Sequence, residues 1–206
     1  MPQPIEFFFD FSSPYGYLAS RKIDEIGARH GREVVWKPVL LGAVFKVTGG
    51  QPLVSIPMKS DYVARDFARF ARLLGVDFKM PDNFPFSSIH AVRSFWWAEG
   101  QNPKLAHDLA QHLLNTAFSG NDIASAQAVA SAAAGIGIDS AALLAGIESQ
   151  EVKDRTRTES DAAIARGIFG SPYIVIDGEP FWGADRLDQV EKWLATGGWL
   201  AVSLSC

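Results

Sequence analysis

The chain has 206 residues, 48% hydrophobic and 20% charged, with a formal net charge of −4. That length supports one good core with room for a subdomain, and the composition is that of an ordinary soluble globular protein. The acidic balance, with no dense basic cluster, argues against nucleic acid as the main partner, and no apolar run approaches the ~20 residues of a membrane span.

No charged n-region or h-region precedes the first strand-like residues, so a cytoplasmic protein is expected. Cys206 is the only cysteine, which excludes an internal disulfide and a Cys-x-x-Cys redox pair. His30, His90, His107 and His112 show no metal-ligand spacing, and no protein metal site is expected.

In chain order, the run from Ile5 to Asp10 (IEFFFD) reads as a strand buried on both faces. Helical spacing follows over 14–30, with Tyr17, Leu18, Ile23 and Ile26 on its apolar face and Gly31 at its stop. Glu33 to Pro38 is a second short strand, completing a βαβ unit with a parallel pair. The turn between them is Phe11-Ser12-Ser13-Pro14-Tyr15. Proline is favoured as the first helical residue and serine as the N-cap. Ser13 therefore sits where free N–H groups and the positive end of the helix dipole converge, a natural place for an anion such as a thiolate. Serine before proline also commonly does no more than cap.

From Leu40 to Pro57 (LLGAVFKVTGGQPLVSIP) the chain reads as a mainly irregular loop, too apolar for disorder and of the length that functional loops have. Helical spacing returns from Lys59 to Leu74, with Tyr62, Phe67, Phe70, Leu73 and Leu74 facing inward. After the irregular Pro81-Asp82-Asn83-Phe84-Pro85-Phe86, helices are expected over 88–99, 104–118, 125–134, 140–149 and 151–167. Ser171-Pro172 then opens a strand, Asp177-Gly178 marks a hairpin, Glu179–Trp182 returns, and Leu187–Leu194 is a final helix. A βαβ start, a helical insertion and a ββα end give an α/β, thioredoxin-like fold. Residues 1–58 and 168–206 form its discontinuous thioredoxin-like domain and 59–167 the all-helical insertion.

Several stretches, in this order and spacing, carry a resemblance: FDFSSPYGYLA (9–19), KPVLLGAVFKVTG (37–49), PMKSDYVARDFARFA (57–71), PDNFPF (81–86) and IFGSPYIVIDGEPFWGADRLDQVEKWL (168–194). Together they resemble the 2-hydroxychromene-2-carboxylate isomerases and the kappa-class glutathione transferases, which share the thioredoxin fold with a DsbA-type helical insertion. The resemblance implies glutathione as cofactor, with Ser13 as the catalytic residue beside its sulfur. It places Ser171 at the tripeptide backbone through its main chain, with Pro172 cis. The turn Trp182-Gly183-Ala184-Asp185 falls at the γ-glutamyl end, held by Asp185, and Lys59 reaches a carboxylate. Two positions depart from the family pattern: Ala184 replaces a residue that is often polar, and Gly50 replaces a common asparagine.

The activity implied is glutathione-dependent interconversion of 2-hydroxychromene-2-carboxylate and trans-o-hydroxybenzylidenepyruvate, a reaction of aromatic hydrocarbon catabolism. The small aromatic keto or hydroxy acid would meet Lys46 or Lys59 through its carboxylate and Asn83 through an oxygen. Phe45, Phe84, Trp96 or Trp182 would meet its ring, each against the alternative of ordinary core packing. Relatives suggest a homodimer. Two other readings stay open: a kappa-like transferase or peroxidase on small electrophiles, and a non-catalytic thioredoxin-fold binding module. A disulfide oxidoreductase is set aside, because Ser13 and Pro14 stand where thiols are needed.

Overall fold

A computed structural model describes residues 3–199, so Cys206 and the end of the tail lie outside the described residues. Four strands, β1 (Ile5–Phe9), β2 (Val34–Pro38), β3 (Tyr173–Ile176) and β4 (Glu179–Trp182), form one sheet in the order β2-β1-β3-β4. β1 runs parallel to β2, with Phe9 opposite Pro38. It runs antiparallel to β3, with Phe8 opposite Tyr173, and β3 and β4 form an antiparallel hairpin. The hairpin turns at Asp177 and Gly178, with φ of 52° and 91°, the left-handed pair that a tight two-residue turn demands.

The helices are α1 (Pro14–Ser20), α2 (Ile23–Arg29), α3 (Leu41–Thr48), α4 (Ser60–Leu74) and α5 (Ile89–Glu99), followed by α6 (Pro103–Phe118), α7 (Ala126–Ala134), α8 (Ser140–Glu148), α9 (Gln150–Ala165) and α10 (Leu187–Thr196). The fold is thus the thioredoxin-like α/β arrangement with a run of helices between β2 and β3.

Three elements differ from their sequence patterns. The helix expected over 14–30 is two helices, because the Ser20 hydroxyl donates to the Tyr17 carbonyl at 2.7 Å and Lys22 N–H turns back to Ala19. Leu18 and Ile23 are nonetheless both fully buried. The stretch expected to be irregular contains α3, whose first free N–H, on Leu41, donates to the distant Asp10 carboxylate at 2.7 Å. In α4 the inward stripe is Val63, Phe67 and Ala71, with Phe70 and Leu74 half-buried. This 3-4 spacing leaves Tyr62 and Leu73 on the outer side, 59% and 75% exposed.

β1 is covered on both faces, as its apolar run implies. On one face Phe7 and Phe9 stack at 5.4 Å and meet the Trp36 ring edge-on at 5.1 and 5.2 Å. That core continues without a break into α5 and α6, through Phe95, Leu109, Leu113 and Phe118. On the other face Phe8, Val39 and Val175 pack against Ala163 of α9 and Ile168. The alanine-rich α7 buries Ala130 and Ala133 fully, which is close helix packing.

Asp24 of α2 joins the sheet to the inserted helices. It accepts from Trp36 Nε1 at 2.9 Å and Gln111 Nε2 at 3.0 Å, and pairs with His107 Nε2 at 2.9 Å. The Asp24 carboxylate raises the His107 pKa above its ordinary value, against the opposing effect of burial. A raised imidazole pKa adds stability that is fully present below the unfolded value of ~6.5 and is lost as pH rises through the folded value. For a half-exposed pair the effect is about 1 kcal/mol. Urea midpoints measured from pH 5.5 to 8.5 should therefore decline in the wild type, and His107→Gln should remove most of that decline.

Candidate functional site

The C-terminal end of β1 runs into a buried carboxylate. Asp10 is 1% exposed and accepts from Ser12 N–H, Ser12 Oγ and Leu41 N–H, each at 2.7 Å. Burial raises its pKa above the ordinary carboxylate value, and these donors only partly offset it. Its backbone N–H donates to Ser171 Oγ at 2.9 Å, and its carbonyl accepts from Ser13 N–H at 3.0 Å. One residue thereby fixes the first turn, the start of α3 and the loop before β3.

Ser13 caps α1 as its position implies: its Oγ accepts from Gly16 N–H at 3.0 Å and its proton goes to the Ser171 carbonyl at 2.9 Å. The Ser171–Pro172 peptide bond is cis, as the resemblance implies, and so is Phe84–Pro85. Strand β3 begins one residue later than its pattern suggests, at Tyr173. Gly183 N–H donates to the Pro172 carbonyl at 3.1 Å. Ser13, Ser171, Pro172 and Gly183 are therefore joined by direct hydrogen bonds into one small surface, with Ala184 buried behind it. Because α1 is only seven residues long, the dipole at Ser13 is shorter than the expected helix would supply, and individual donors carry more of the electrostatics.

Around this surface the other candidates take different places. Asp185 does not cap α10; it lies in a short 3-10 turn, its carboxylate exposed and 3.3 Å from Arg186. Trp182 is 57% exposed and meets Phe169 edge-on at 4.9 Å, an apolar ledge beside the cis peptide. Lys59 is exposed at the residue before α4, while Lys46 is exposed and Phe45 half-buried on α3. Asn83 donates from its amide to Asp122 at 2.7 Å. Trp96 belongs to the helical core, 5% exposed, under the Arg155 guanidinium.

Tyr15 is a neighbour that the motif reading did not single out. Its hydroxyl donates to Asp66 at 2.5 Å and its ring meets Phe67 edge-on at 4.8 Å, holding α4 against α1. Burial, then the Asp66 carboxylate, keeps its phenol well above the ordinary pKa. Its partner is 51 residues away in sequence, so no local pattern marks it.

The DSBA-like thioredoxin domain model matches residues 4–195. The chain belongs to that family. Within it, the chain is 28% identical over 201 residues to 2-hydroxychromene-2-carboxylate isomerase of Sphingobium xenophagum, covering 94% of this chain and 99% of the relative. It is 30% identical to glutathione S-transferase kappa 2 of Caenorhabditis elegans, covering 93% and 91%. The solved structure of a 2-hydroxychromene-2-carboxylate isomerase superposes with a TM-score of 0.81 at 25% identity, over 94% of this chain and 95% of that one. These relatives are named as enzymes, isomerases and glutathione transferases. Among the described residues no helix is long and apolar enough to cross a membrane, and no group of metal-ligating side chains occurs.

Substitutions at two positions test how the site is held. Asp10→Ala leaves several buried donors without an acceptor, at about 3 kcal/mol or more, and Asp10→Asn, which keeps one acceptor oxygen, should lose less; urea denaturation measures both. Helix propensity alone favours Gly16→Ala by about 1 kcal/mol. A Cβ there would stand 2.6 Å from Ser171 Oγ and 3.1 Å from Ser13 Cβ, and neither neighbour can retreat without breaking a hydrogen bond. Gly16→Ala should therefore be net destabilising, by about 1–3 kcal/mol.

Proposed function

We propose that this protein is a glutathione-dependent isomerase interconverting 2-hydroxychromene-2-carboxylate and trans-o-hydroxybenzylidenepyruvate. One observation carries the reading: at the first turn a serine hydroxyl, not a thiol, bonds the carbonyl that precedes a cis-proline. The isomerase and transferase relatives cover nearly the whole chain. Glutathione, when bound, supplies a sulfur that adds reversibly to a conjugated double bond, so that a cis alkene can become trans without net loss of thiol.

The residues fit that group. The Ser171 N–H makes no hydrogen bond among the described residues, and its carbonyl accepts only from Ser13, so a peptide backbone can pair there. Asp185 offers an exposed carboxylate to an α-ammonium group, and Lys59 an exposed cation to a carboxylate. A free thiol near pKa ~8.5 is mostly protonated at neutral pH, so the site must favour the thiolate. The Ser13 proton does so by turning from the Ser171 carbonyl towards the sulfur when the ligand backbone takes over that carbonyl. No histidine contacts Ser13, and a donor role suffices. Phe45 and the Trp182 ledge can receive an aromatic ring, and Lys46 can receive its carboxylate. Asn83 gives one amide N–H to Asp122 and keeps its second for an oxygen of the substrate.

The kappa-type relative at 30% identity favours a second reading, conjugation or reduction of small electrophiles. The two differ in the fate of the thiol. The ultraviolet spectrum of 2-hydroxychromene-2-carboxylate should convert to that of the trans product only with glutathione present, with free thiol unchanged. Thiol loss with electrophiles and no conversion would assign the transferase instead. Ser13→Ala should raise the pKa of the bound thiol by about one unit, each unit being worth about 1.4 kcal/mol, and cut turnover roughly tenfold or more with the fold intact. An unchanged pKa and rate would remove Ser13 from the chemistry.

A further inference from the structure

The hydroxyl groups of Ser13 and Ser171 are not in equivalent states. Ser13 is 5% exposed, and both of its hydrogen-bonding directions are occupied, by Gly16 N–H and the Ser171 carbonyl. Ser171 is only half-buried. Its oxygen accepts from Asp10 N–H at 2.9 Å, while its own proton meets no acceptor among the described residues. The two oxygens stand close together beside Gly16: a Cβ built there would lie 2.6 Å from Ser171 Oγ and 3.2 Å from Ser13 Oγ. The free proton at this surface therefore belongs to Ser171, not to the residue that the motif singles out.

We propose that the Ser171 hydroxyl is a second catalytic donor, hydrogen-bonding the glutathione sulfur alongside Ser13. This rests on the glutathione reading above but assigns to the side chain of Ser171 a role that the resemblance gives only to its main chain. A thiolate accepts several hydrogen bonds at once, and each favours the charged form. Ser13 must give up the Ser171 carbonyl before it can donate, whereas Ser171 donates with its bond from Asp10 N–H intact. That bond also fixes where the oxygen stands, so the donor is pre-positioned. Ser171 is the resting donor and Ser13 the exchanged one.

The test is a pH titration of thiolate absorbance for glutathione bound to the wild type, Ser171→Ala, Ser171→Thr and Ser13→Ala, with affinities for glutathione and S-methylglutathione measured alongside. Ser171→Ala should raise the bound-thiol pKa by about one unit, tenfold in the protonation equilibrium, and Ser171→Thr, which keeps the hydroxyl, should restore it. S-methylglutathione has no thiolate, so its affinity should be the same in wild type and Ser171→Ala; equal losses for both ligands would mean a purely structural role and overturn the proposal. If Ser171→Ala does not fold, because Asp10 N–H loses its acceptor, Ser13→Ala decides. Retention of a depression of about one unit or more, beyond what the start of so short a helix supplies, supports a second donor, and a smaller depression or return to the value of free glutathione overturns it. An unchanged pKa in Ser171→Ala defeats this proposal while leaving the isomerase reading standing. Absence of glutathione binding to the wild type defeats that reading, and this one with it.

Discussion

The buried Asp10 carboxylate is the constraint on which the rest of the site depends. Among the described residues no cation pairs with it; its oxygens are met by neutral donors from the first turn and from the start of α3. A carboxylate enclosed without such donors would cost several kcal/mol. The donors are therefore not optional, and each brings its own segment of chain to the end of β1. The same residue, through its backbone, orders Ser171 on one side and Ser13 on the other. A single acidic group thus organises two loops that are 158 residues apart in sequence.

The sheet gives that arrangement its rigidity. β1 has neighbours on both sides and aromatic or aliphatic cover on both faces, so its C-terminal end cannot drift. α1 leaves it through Ser13, and Tyr15 then ties α1 to α4 through Asp66. The exposed Trp182 and Asp185 flank Gly183, which bonds the Pro172 carbonyl, so charge and apolar surface are presented from defined directions beside one small polar centre.

Much of this was legible in the residues. The IEFFFD run announced a doubly covered strand, the Ser-Pro pair a capped helix start, and Asp-Gly the hairpin, because each rests on local sterics or on side-chain period. What could not be read depends on partners distant in sequence. The start of α3 is capped by Asp10, not by its own neighbours. Tyr15 finds Asp66, and Asn83 finds Asp122. The break between α1 and α2 turns on a Ser20 hydroxyl bonding backward, a choice open to any serine in a helix. Trp96 and Trp182 have the same side chain, yet one is core and the other surface. Composition does not separate them; tertiary packing does.

The first turn carries an oxygen at Ser13, and the only cysteine of the sequence is Cys206. Oxygen at Ser13 cannot hold or hand on electrons under physiological conditions. The turn keeps its capacity to favour a neighbouring negative charge but has no electron-carrying atom of its own. An oxidant in the surroundings therefore leaves the polypeptide at the turn chemically as it was, and under the proposed function it would act only on the small thiol that the site takes up.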